Sequence, residues 1–234
     1  MYSKNEGTNT SYGVFDGADD LPEAEKSQFK NPIYVQMQSD GKKLYVGDEK
    51  GKFYALAFGD GNSISDADVT DPNNTFAKNP KLFKWIFEDP SISSIQEDGN
   101  TYIYGDYILA CVNQKDKTEP AIIAIDKGNG KLKWKTALKG IEEWRLVDDK
   151  ITATNGELIY LLDTDGKITS TIKTEQQFAP ISNIEIDKND DLIYATEQGI
   201  VKYEVKTKKF SVLLKQAFKK EYHDYFEVKY LRKK

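Results

Sequence analysis

The sequence predicts an all-β chain assembled from repeated antiparallel sheets. Three observations carry this. Short strand-like runs alternate with turns rich in Gly, Asp and Asn along most of the 234 residues. The runs recur with a period of about 40 to 50 residues. Helical periodicity of useful length is absent, the last sixteen residues aside.

Residues 1–31 are polar, with an acidic cluster at Asp16, Asp19, Asp20, Glu23 and Glu25. They read as a tail with one candidate strand, Ser11–Phe15. The first repeat, residues 32–89, opens with Ile33–Gln38 and turns at Ser39-Asp40-Gly41-Lys42. Lys43–Gly47 and Phe53–Phe58 follow, and Leu82–Phe87 closes the unit. The polar segment 59–80 interrupts it as an exposed insertion. The second repeat, 90–138, has runs at Ser91–Gln96, Thr101–Tyr104, Tyr107–Val112, Ala121–Asp126 and Lys131–Thr136. The third, 139–175, has Trp144–Val147, Lys150–Thr154, Leu158–Asp163 and Lys167–Lys173. The fourth, 176–218, has Ile181–Ile186, Asp191–Thr196, Ile200–Val205 and Lys209–Leu214. Residues 219–234 form a basic C-terminal segment containing a candidate strand, Tyr225–Tyr230.

The middle strands are apolar or small throughout, as strands covered on both faces must be. The outer strands alternate. In the second repeat Leu132 and Trp134 lie on one face, and Lys131, Lys133 and Lys135 lie on the other. The lysines guard the edge against pairing with other chains, and the Trp is placed to pack on a neighbouring sheet. One such sheet cannot bury both its faces, so the copies must stack.

The clearest copy runs Ala124-Ile125-Asp126-Lys127-Gly128-Asn129-Gly130-Lys131-Leu132-Lys133-Trp134. The figure Ala-x-Asp-x-x-x-Gly-x-x-x-Trp resembles the blade repeat of the pyrroloquinoline-quinone-type (quinoprotein-like) β-propellers, in particular their noncatalytic scaffold branch. Asn129 stands where that family usually has Thr. The resemblance implies a small β-propeller of four to five four-stranded antiparallel blades. Four copies are visible. Pairing of Ser11–Phe15 with Tyr225–Tyr230 would supply a fifth, composite blade. Charge favours that pairing: residues 1–31 hold six acids against three bases, and 219–234 hold six bases against three acids.

Composition narrows the function. A net charge of -5 argues against nucleic acid, which needs a basic face. No apolar stretch approaches the about 20 residues of a membrane span. The single Cys111 excludes internal disulfides and reads as a buried strand residue. With one His, His223, multi-histidine metal sites and catalytic triads are excluded. The Asp187–Asp191 run has Leu192 and Gln198 where a calcium loop of EF type needs Gly and Glu, so it reads as a turn. Asp163-Thr164-Asp165-Gly166 reads as a hairpin turn for the same reason. No cofactor site is expected.

Three residues stand out as candidate partner contacts. Trp144 and Arg145 enter the third repeat, and Trp and Arg dominate binding hot spots; a core role for Trp144 is the competing reading. Phe76 lies in the acidic insertion. The expectation is a noncatalytic interaction or scaffold module binding a protein, or a glycan, in a bacterial envelope or surface assembly. The resemblance implies an extracytoplasmic setting, with a lipid tether upstream of residue 3; the polar start of the chain reads as a tether, with Met1 as a start that replaces an export signal. Two alternatives stand beside it. One is a small glycan-active hydrolase or lyase with carboxylates at the central channel. The other is a fragment or half-ring completed by a partner chain.

Overall fold

The computed structural model describes residues 38–57, 83–96, 100–218 and 227–230. Among these residues the chain forms seventeen strands and one short 3-10 turn, Gln176–Phe178. The strands make four antiparallel sheets, each from strands consecutive in the chain. The first holds β1 (Gln38–Ser39), β2 (Lys43–Gly47), β3 (Phe53–Ala57) and β4 (Phe83–Phe87). The second holds β5 (Ile92–Ile95), β6 (Thr101–Tyr104), β7 (Tyr107–Gln114), β8 (Ala121–Asp126) and β9 (Leu132–Ala137). The third holds β10 (Glu143–Val147), β11 (Lys150–Thr154), β12 (Leu158–Asp163) and β13 (Ile168–Lys173). The fourth holds β14 (Glu185–Ile186), β15 (Leu192–Thr196), β16 (Gly199–Glu204) and β17 (Lys209–Lys215). The all-β class and the four-stranded antiparallel blade are therefore both present.

The second sheet departs from the plain pattern. Both β5 and β6 pair with the same strand, β7: Ile95 lies opposite Val112, and Thr101 opposite Ala110. They are two halves of one inner strand, broken between Gln96 and Thr101. The expected strand Ile181–Ile186 is also shortened, to Glu185–Ile186. Of the expected closing strands, Ser11–Phe15 lies outside the described residues, as do Tyr225 and Phe226. Residues 227–230 run as irregular chain.

The described residues fall into two compact units, divided between Lys135 and Thr136 inside β9. In the first unit two sheets face each other. Tyr45, Phe53, Ala55, Trp85 and Phe87 from the first pack on Ile92, Ile95, Ile108, Ala110, Val112, Ala121, Ile123 and Ile125 from the second. The intervening residues Tyr54 and Leu56 of β3 are buried too, at 0% and 2% exposure, so this strand is covered on both faces. In the second unit Ile159, Leu161 and Ile172 of the third sheet pack on Ile184, Ile186, Leu192, Tyr194, Val201 and Tyr203 of the fourth. Phe210 stacks on Phe178 with ring centroids 4.6 Å apart. The exposed large apolar residues Ile86, Leu132, Ile168 and Val212 to Leu214 all lie on the outermost strands, β4, β9, β13 and β17.

The turn of the Ala124–Trp134 repeat is where the two sheets of the first unit join. Asp126 Oδ1 accepts the backbone N–H of Gly128 at 2.8 Å and of Asn129 at 3.1 Å. That cap lets the chain reverse while Asp126 itself stays in the ladder. Gly130 then adopts φ +70 and lies against the face of Trp85, so close that a Cβ there would sit 2.6 Å from the ring. The Trp85 indole donates to the Lys127 carbonyl at 3.0 Å, and Lys43 Nζ donates to the same oxygen at 3.1 Å. Lys127 Nζ in turn donates to the Gly105 carbonyl at 2.9 Å. The docking expected of an outer-strand Trp is thus made in this unit by Trp85. Trp134 is half-buried, and Leu132 on its face is 38% exposed. Lys135 pairs with Asp89 at 2.9 Å, and Lys133 lies 5.9 Å from the centre of the Tyr107 ring.

Gly130→Ala is expected to destabilise the protein by about 1–3 kcal/mol, since the methyl overpacks Trp85 and the positive φ strains any L residue. Trp85→Ala should cost more, about 3–5 kcal/mol, through the cavity it leaves. Chemical denaturation measures both; a change under about 0.5 kcal/mol for Gly130→Ala, the range of an ordinary surface substitution, would refute the docked turn.

Candidate peptide-docking site

Ile181-Ser182-Asn183-Ile184-Glu185-Ile186 carries three polar residues in an apolar run. The structure shows what they do. The Ile181 N–H donates to the Ala195 carbonyl at 2.9 Å, and the Ala195 N–H donates to Ser182 Oγ at 2.9 Å. A hydroxyl thus takes the place of a main-chain acceptor, and regular pairing with β15 starts only at Glu185. This is why the expected strand is short.

Asn183 is 1% exposed, and a buried amide needs partners for both its ends. It finds them on a distant part of the chain. Asn183 Nδ2 donates to the Val228 carbonyl at 2.9 Å, and the Val228 N–H donates to Asn183 Oδ1 at 2.8 Å. The two contacts address the backbone alone, as a neighbouring strand would. The same Nδ2 lies 3.3 Å from Glu185 Oε1.

Two charged groups hold the segment on either side of that clamp. Arg145, from β10, reaches Glu227 with Nη1–Oε1 at 2.7 Å. Glu143 Oε1 lies 3.5 Å from Arg145 Nε and helps aim the guanidinium. The Arg145 hydrogen bond, followed by that of Lys229 at 3.1 Å, holds the Glu227 carboxyl below its ordinary range. Burial pushes the Glu185 carboxyl up; the Tyr230 backbone N–H and the Arg145 charge pull it back only in part, so its pKa stays above the ordinary value. The segment is therefore held by its side chain at Glu227 and by both main-chain groups of Val228.

Of the three sequence-predicted contacts, the structure brings Arg145 to this site. Trp144 is 1% exposed, so the reading of an exposed Trp anchor is corrected to a core residue. Alternation explains the split: neighbours on a strand face opposite ways, so Trp144 enters the core and Arg145 leaves it. Phe76 lies outside the described residues, and so does His223. Asn183, Glu185 and Glu227 were missed. The available signal was Asn183, an amide in an apolar run that needed a buried partner.

The Asp187–Asp191 segment is a capped turn. Asp187 Oδ1 accepts the N–H of Asn189 at 2.7 Å and of Asp191 at 3.0 Å. Lys202 Nζ sits between the two carboxylates, 2.8 Å from Asp187 Oδ2 and 2.8 Å from Asp191 Oδ2. Burial raises the Asp187 pKa, but the hydrogen bonds from Lys202 and the turn outweigh it and leave the pKa below its ordinary 3.8. The hydrogen bonds from Asp187 and Asp191 push the Lys202 ammonium above its ordinary range.

No family model matches this chain, and no curated protein matches it. Solved structures share its blade pattern at low identity. BamB from Moraxella catarrhalis is 15% identical, over 77% of this chain and 52% of its own, with a TM-score of 0.48. A europium-containing methanol dehydrogenase is 12% identical, over 75% of this chain and 40% of its own, with a TM-score of 0.47. The Pan2 WD40 domain of Neurospora crassa is 9% identical, over 84% of this chain and 53% of its own, with a TM-score of 0.46. The chain spans about half the length of such structures.

The Asp187–Lys202 pair makes a pH prediction. A lowered carboxyl pKa contributes stability above its ordinary 3.8 that is lost as pH falls through the lowered value. A raised ammonium pKa contributes stability that is lost only as pH rises through the raised value. The pair therefore supports the fourth sheet across the whole interval between. Lys202→Met should lower thermal stability at neutral pH and flatten its fall as pH drops below the ordinary carboxylate value of 3.8. Melting curves followed by circular dichroism test this, and parallel acid limbs in the two proteins would count against it.

Proposed function

We propose that this chain is a noncatalytic interaction module that holds an extended segment of a protein partner along the inner strands of the third and fourth sheets. One observation carries the reading: the buried Asn183 amide grips both main-chain groups of Val228, a residue that belongs to none of the four sheets. The clamp addresses a backbone 45 residues away, and main-chain hydrogen bonds are how extended peptides are recognised on sheet edges.

The acids at this site support holding rather than chemistry. Glu227 and Glu143 are taken by Arg145, and Glu185 accepts from Asn183. A protein partner is favoured over a glycan, because the contacts match peptide groups in number and direction. The setting that goes with this reading is an envelope or surface assembly outside the cytoplasm, as the blade-repeat resemblance implies. Among the described residues no helix is long and apolar enough to cross a membrane.

A peptide offered from outside tests the reading. Val228→Pro in the full-length chain deletes the N–H that Asn183 receives and so opens the site. A fluorescent peptide with the sequence of residues 222–234 should then bind saturably in an anisotropy titration, while a scrambled peptide should not. Adding Asn183→Ala should weaken binding about tenfold, the value of a buried hydrogen-bonded amide. Absence of saturable binding to the opened chain would sink the proposal.

A further inference from the structure

We infer that the site selects by charge: its partner is an extended segment with Glu or Asp directly before the residue whose peptide group Asn183 clamps, and the chain's own Glu227–Tyr230 segment competes for the same place. This rests on the peptide-holding reading above and names the class of peptide held.

Arg145 sets the charge requirement. It projects from β10, on a different sheet from Asn183, yet it meets the residue just before the clamped one at 2.7 Å. A guanidinium offers a fixed planar fork and pairs with a carboxylate far better than with an amide or an aliphatic side chain. Glu143 Oε1 at 3.5 Å from Nε supplies the second contact that sets the fork's direction. At 26% exposure the Arg145 side chain is sheltered enough for the charge to discriminate, and open enough to receive a ligand. The overall charge of -5 means that generic attraction would favour basic peptides, so a preference for an acid must come from this local cation.

The next position is also specified. Asn183 requires a free N–H on the second residue, so proline is excluded there. The ligand is thus an acid followed by any non-proline residue. The chain's own Glu227-Val228 satisfies both terms. Tethered in the same molecule, it acts at an effective concentration of the order of millimolar, and an outside segment must displace it.

The test uses full-length protein and the 222–234 peptide in four forms: unchanged, Glu227→Gln, Glu227→Arg and Val228→Pro. Against the Val228→Pro chain, Glu227→Gln should weaken binding at least about fivefold and Glu227→Arg more. The Val228→Pro peptide should not compete. Adding Arg145→Glu to that chain should reverse the order, so that the Glu227→Arg peptide binds best; a role in folding alone would not give that rescue. The unsubstituted chain should bind the unchanged peptide at least about tenfold more weakly than the opened chain, because its own segment is in place. Equal binding of the Glu and Gln peptides would overturn charge selection while leaving the peptide reading intact, whereas loss of all peptide binding would overturn that earlier reading instead. A dimer of the unsubstituted chain that Val228→Pro dissolves, seen by light scattering, would assign the site to a second copy and overturn the partner proposed.

Discussion

The fold depends on one recurrent interaction: a short polar side chain at the end of a strand that accepts the backbone N–H groups of the following turn. Asp48 accepts from Lys50 and Lys52, both at 3.0 Å. Asp126 serves Gly128 and Asn129, Asp163 serves Asp165 and Lys167, and Asp187 serves Asn189 and Asp191. Asn155 does the same for Glu157 and Leu158. A hairpin that lacks such a cap leaves main-chain donors to water and lets the register slip by one residue, which would turn every apolar side chain to the wrong face. With the caps in place, registers are fixed locally and the apolar residues of the middle strands have only one way to face.

Packing follows from that fixed register. In the first unit the capped turn at Asp126 holds the Lys127 carbonyl and Gly130 where Trp85 can reach both. An indole is large, and its N–H must be satisfied when covered. Glycine at φ +70 supplies the flat approach, and the carbonyl supplies the acceptor. Gly51 repeats the arrangement at the β2–β3 turn, where its φ is +80 and Ile92 lies against it. Turn geometry therefore decides where two sheets touch. The hydrophobic effect supplies the driving force without choosing the spot.

Periodicity and turn chemistry are local properties, and local properties were readable. The alternation of apolar runs with Asp-Gly and Asn-Gly turns located nearly every strand of the described residues, and the blade as the repeating unit. One departure had a non-local cause. The strand expected over Ile181–Ile186 shrinks because Ser182 and Asn183 turn their side chains to Ala195 and Val228 instead of leaving the backbone to pair. Trp85, whose own turn is degenerate, docks because the complete turn it needs belongs to the next sheet. A motif read along the chain joins residues that the fold uses in different pairings. Of the candidate docking site, the sequence singled out Arg145 alone, as a residue type suited to recognition. Asn183 and Glu227 lie too far apart in sequence for any pattern to connect them.

Asn183 uses the chemistry of the turn caps at long range. In each cap a side-chain oxygen accepts from N–H groups two to four residues further on; at Asn183 the amide accepts and donates to one peptide 45 residues on. The difference has a functional consequence. A cap binds a partner that the chain can never remove, so it contributes stability alone. A clamp on a remote segment has two states, filled and empty, and its balance responds to any peptide that offers the same groups. Arg145 adds a charge requirement to a contact that is otherwise blind to sequence, and converts a backbone clamp into a selective one. Asn183 lies outside the β14–β15 ladder, which starts at Glu185, and Arg145 pairs with Thr152 through its backbone, which leaves its side chain for the segment. Their burial and aim are accounted for by the segment they hold.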